Sequence, residues 1–146
     1  MSKTILVPID GSEHSRKALE LACELGTKLG ASLHLLHVAQ SLHEGKTLVL
    51  GAAAVTVHAP LSELEKAGEQ VIQAATRFAR EHGVDAVETE ITTGDPAKRI
   101  VEAARAEKAD MVVMGSRGLS DLSGLMLGSV SHKVSHLAPC TCVTVR

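Results

Sequence analysis

Apolar residues in this chain recur with two periods that alternate along its length, and that alternation limits the fold more than any other feature. Thr4 to Ile9 reads as a parallel strand covered on both faces. Ala18, Ala22, Leu25 and Leu29 then form a stripe at helical spacing, with Ser12 placed to cap it and Gly30 placed to end it in a left-handed conformation. Ser32 to Ala39 returns to a strand pattern. Ser62 and Glu65 have capping-box spacing ahead of a helix whose apolar face runs through Leu64, Val71, Ala75 and Phe78 to Gly83. Val84 to Thr92 is a third strand, and Asp95-Pro96 opens a helix striped by Ile100, Val101 and Ala104. Asp110 to Met114 is a fourth strand, residues 129–137 a fourth helix, and Thr141 to Val145 a fifth strand. Five strands alternating with four helices in 146 residues predict one α/β domain over residues 1–146. Its sheet is open and mostly parallel, and right-handed crossovers put helices on both faces. Residues 40–60 fit no element, and the pattern leaves strand order open.

The apolar run Met111-Val112-Val113-Met114 leads into Gly115-Ser116-Arg117-Gly118, and Gly128-Ser129 opens the helix that follows. Strand, glycine-rich loop and helix start together describe an anion site. Glycines allow backbone N–H groups to approach a phosphate, and the helix N-terminus adds unpaired N–H groups and the positive end of its dipole. Hydroxyls on Ser129 and Ser131 can add donors in that first turn. Competing phosphate motifs fail on spacing. Gly45-Lys46-Thr47 has the tail of a P-loop, but Gln40 stands where its first glycine belongs, and Leu48-Val49-Leu50 does not open a helix.

The ordered set Gly-x2-Gly-x9-Gly-Ser resembles the ATP-binding signature of the universal stress protein family. Ile5-Leu6-Val7-Pro8-Ile9-Asp10-Gly11-Ser12 resembles that family's first strand and loop. Gly128-Ser129-Val130-Ser131, with Pro139-Cys140 beyond, resembles its last helix and the entry to its last strand. The resemblance implies strand order 3-2-1-4-5, which reverses between strands one and four. A ligand then binds beyond Pro8-Ile9-Asp10 and Met114-Gly115. It implies a ribose contact for Asp10, whose plainer role is that of a turn residue before Gly11. It also implies an adenine contact from the main chain of Val38, which can pack in the core at the same time. Arg117 can neutralise phosphate or remain solvated. The implied ATP-binding set is Pro8, Ile9, Asp10, Val38, Met114, Gly115, Arg117, Gly118, Gly128, Ser129, Val130 and Ser131; Mg2+ is expected beside the nucleotide from triphosphate chemistry, not from a visible set of protein ligands. The implied assembly is a homodimer through the last strand, at Val143 and Val145.

Composition narrows the function classes. Phe78 is the sole aromatic residue, which removes stacking platforms for single-stranded nucleic acid. A formal net charge of −2 gives no basic footprint for a duplex. No stretch approaches the ~20 apolar residues of a membrane span. Three cysteines and no export signal suggest a reducing cytoplasm. His132 and His136, with Cys140 and Cys142 beyond, have zinc-ligand chemistry. The cysteines lie past the helix on a final strand, however, and no metal site is expected there.

Nor is a catalytic residue expected. Asp121 can orient a water for hydrolysis or simply be solvated. The expected protein is a cytoplasmic ATP-binding regulator or sensor acting on a downstream protein partner. Nucleotide binding is expected to order the loop from Ser116 to Leu127. The alternatives are a slow ATPase or nucleotidyl-transfer enzyme, and an interaction module that binds another adenylate.

Overall fold

The computed structural model describes residues 3–39, 46–50, 53–57, 61–117 and 128–146. Strands β1 (Thr4–Pro8), β2 (Ser32–Ala39), β5 (Val87–Thr93), β6 (Met111–Gly115) and β7 (Thr141–Val145) form one parallel sheet in the order β5-β2-β1-β6-β7. Counted within the sheet, this is the 3-2-1-4-5 order. Strands β3 (Lys46–Leu50) and β4 (Ala53–Val57) form a separate antiparallel hairpin, in the stretch where the sequence pattern offers no element.

Alternation along each sheet strand divides the core. Ile5, Val7, Leu33, Leu35 and Val113 face helices α1 (Glu13–Leu29) and α2 (Leu61–Glu81). Leu6, Leu36, Val112 and Met114 face helices α3 (Pro96–Ala106) and α4 (Ser129–Leu137). Because both faces are covered, β1 and β6 read as short unbroken apolar runs, while β2 is interrupted by His34 and His37. The small residues Ala18, Ala22, Ala75 and Ala79 let α1 and α2 pack onto the aliphatic layer.

Local chemistry explains most element ends. Ser12 caps α1, its hydroxyl accepting from the Ser15 N–H, and Gly30 closes it at φ 64°. Asp95 accepts from the Lys98 N–H at 3.0 Å, and Pro96 takes the first turn of α3. Two sequence expectations shift. Helix α2 begins at Leu61, so Ser62 lies inside its first turn and is not its cap. The third sheet strand begins at Val87 because Val84 closes α2, its N–H donating to Ala79 O after Gly83 at φ 89°.

Candidate adenylate site

Strand order reverses at β1, between β2 on one side and β6 on the other, and a cleft opens at the carboxyl ends there. The cavity in it has a volume of about 470 Å³, within the range of small-molecule sites. Pro8, Ile9, Asp10, Val38, Met114, Gly115, Arg117, Val130 and Ser131 all line it. Gly128 and Ser129 stand at the start of α4 outside its lining, and Gly118, Asp121 and the rest of residues 118–127 lie outside the described residues.

Asp10 serves a turn and lines the cavity at once. Its Oδ1 accepts from the Ser12 N–H at 2.8 Å, an Asx turn that Gly11 completes at φ 85°. The start of α4 is pinned to the end of β6. Ser116 O accepts from the Gly128 N–H at 2.6 Å and from the Ser131 hydroxyl at 2.8 Å, while the Ser116 N–H donates to Val145 O at 2.7 Å. Gly128 is the N-cap and supplies no side-chain acceptor, so among the described residues no side chain caps the helix start, the kind of terminus that receives an anion.

Two of the sequence-level roles change in detail. The Ser131 hydroxyl, expected as a donor to an anion, is buried and turned toward the Ser116 and Gly128 carbonyls. It acts on the site by holding the helix start in place. Gly115 does more than expose its N–H. A Cβ there would lie 2.8 Å from the His14 backbone carbon and 3.0 Å from the Ser15 nitrogen, so glycine lets the first turn of α1 pack against β6.

His37 and Gly68 form a pair that pattern reading passes over. His37 lines the cavity and donates from Nδ1 to Ile9 O at 2.7 Å. A Cβ on Gly68 would lie 2.5 Å from His37 Cδ2, so α2 closes over the imidazole only because position 68 is bare. Leu36, Pro96 and Ile100 extend the apolar lining from β2 and α3. The cleft therefore joins an apolar chamber to a helix N-terminus and Arg117, which suits a flat apolar base attached to an anionic group.

A universal stress protein family model matches residues 1–146. The chain belongs to that family. The universal stress protein YxiE of Bacillus subtilis is 39% identical over 149 residues, with all of both chains covered. Among solved structures, a universal stress protein in complex with cAMP is 24% identical at a TM-score of 0.71, covering 99% of this chain and 96% of its own. The universal stress protein of Archaeoglobus fulgidus in complex with dAMP is 17% identical at a TM-score of 0.70, covering 100% and 98%.

Among the described residues, the titratable side chains that line the cleft are Asp10, His37 and Arg117. His132 and His136 meet edge to face with ring centroids 4.6 Å apart. Cys142 directs its thiol at Val134 O and Cys140 O, and among the described residues no metal-ligand group of three forms there. All three cysteines are free thiols. Burial raises their pKa values, that of Cys23 to about 11 with help from the Glu20 charge.

Proposed function

We propose that the cleft binds an adenine nucleotide, ATP with Mg2+ in the leading case, and that occupancy regulates association with another protein. The observation that carries this reading is the meeting of Asp10, Val38, Gly115, Arg117 and Val130 around one cavity beside an uncapped helix N-terminus. Adenine takes the apolar chamber lined by Leu36, Val38 and Ile100. Asp10 receives ribose hydroxyls, and phosphate lies toward α4 and Arg117. The acting form is a cytoplasmic homodimer joined through β7, with no catalytic residue required.

A second reading is a module for a smaller adenylate, favoured by the two solved neighbours in complex with cAMP and dAMP. Calorimetric titration with ATP and Mg2+, AMP and cAMP separates the two. Tightest binding of ATP, abolished by Gly128→Val, is the expected result. Tighter binding of AMP or cAMP replaces the first reading with the second. No binding of any adenylate rejects both. Phosphate release well above background would instead establish an ATPase.

A further inference from the structure

A second polar cluster lies toward the opposite end of β2. His34, the third residue of that strand, is buried beneath the C-terminal end of α3, with 7% of its side chain exposed. Its register partner on β5 is Glu88, and Glu90 lies two residues further along. Glu107, the C-cap of α3, completes the group. Histidine Nε2 lies 2.9 Å from Glu90 Oε2. A carboxylate oxygen accepts, so Nε2 carries the proton, and in the neutral ring Nδ1 presents its lone pair.

Nδ1 is buried without a hydrogen-bond partner. Glu88 Oε2 stands 3.7 Å from it and Glu107 Oε2 4.0 Å. One donor atom from each of the three residues falls within 4.8 Å of the others. Donors around a four-coordinate zinc lie about 3.4 Å apart, as bonds of ~2.0–2.1 Å require. A small rotation of the two exposed carboxylates closes that difference. Among the described residues, no lysine or arginine forms an ion pair with Glu88, Glu90 or Glu107, and the negative end of the α3 dipole adds to their potential.

We propose that His34, Glu88 and Glu107 bind a first-row divalent cation, with Glu90 positioning the imidazole. An imidazole nitrogen with carboxylate oxygens and no thiolate suits Zn2+, leaving room for water at the remaining position. The Glu90 contact is the outer-shell bond that fixes tautomer and ring orientation in histidine metal sites. A bound cation fastens edge strand β5 to the end of α3. Its ligands are separate from the cleft, so the site does not depend on the nucleotide reading.

The test is calorimetric titration of the nucleotide-free full chain with Zn2+, with the His34 ring resonances followed by NMR. The expected result is one saturable equivalent that shifts those resonances and raises the thermal midpoint. Glu90→Gln weakens binding about 10–100-fold. The Glu88→Gln/Glu107→Gln double variant loses both the binding and the thermal gain. Both substituted side chains are exposed, by 76% and 39%, and circular dichroism checks that the fold is retained. Zn2+ binding by the double variant at wild-type strength overturns the proposal and points to other histidines. Failure of the wild-type chain to saturate below about 1 mM also overturns it, leaving His34 as a buried hydrogen-bond partner of Glu90.

Discussion

Gly115 and Cys23 each test a different constraint at the scale of one residue. Alanine at 115 would press a methyl group into the backbone of α1 at His14, atoms that cannot rotate away. Gly115→Ala is therefore expected to destabilise the fold by about 1–3 kcal/mol, the usual cost of overpacking, and to weaken nucleotide binding as β6 and α1 separate. Chemical denaturation checks the first effect and calorimetry the second. Cys23 is buried, and its thiol pKa is raised from 9.0 to about 11. The folded state thus holds a proton that the unfolded state releases between those values. Its contribution is present below about pH 9 and is lost as pH climbs toward 11. Stability measured across that window should fall, and Cys23→Ala should flatten the slope. At neutral pH the same thiol should react slowly with disulfide reagents while the chain is folded.

Among the elements, α4 has the most exacting placement. It has nine residues, no side-chain cap, and an N-terminus held by two bonds to Ser116 O. Removing one of them in Ser131→Ala is expected to cost about 1 kcal/mol of stability, because a buried carbonyl loses a donor. Adenylate affinity should fall with it, although the hydroxyl donates to the Ser116 and Gly128 carbonyls, since the helix start loses its anchor. Measuring unfolding and affinity on the same variant checks both. Helix α2 shows the complementary device, in which a bare position admits a neighbour's ring. Gly68→Leu should displace His37 and reduce adenylate binding while leaving most of the helix intact. Short-range chemistry makes the α1 and α3 caps legible, since each involves residues within one turn. The His37–Gly68 contact joins residues from β2 and α2, and no local period encodes such a meeting.

For the whole molecule, the open edge of the sheet at β7 is the feature most exposed to test. Val145 O accepts from the Ser116 N–H of the β6 side, so alternation turns the peptide groups of Cys142 and Thr144 toward the open edge. Val143 and Val145 lean their side chains against the core on the α1 face. A proposed homodimer joined there rests on the main chain as much as on those valines. Thr144→Pro removes an outward N–H and is expected to reduce the solution mass from twice to once the 15.3 kDa of the chain. An unchanged mass by sedimentation would reject this interface. On the other edge, β5 carries Glu88 and Glu90 beside His34, charges that discourage pairing with another sheet.

The succession of periods determined by itself that this chain folds as alternating strands and helices, because helix and strand repeats depend on neighbours a few residues away. The spaced glycines pointed, for the same local reason, to a strand end and a helix start whose chemistry suits an anion. Strand order was legible only through resemblance to a family, since every buried parallel strand presents a similar apolar run. Tertiary structure alone decided that Gly115 is required by α1, that Ser131 holds Ser116, and that His34 meets carboxylates from β5 and the end of α3. Each of those contacts joins residues from separate elements. Packing the two helix layers onto one sheet brings them together, and no local sequence period records where they will meet.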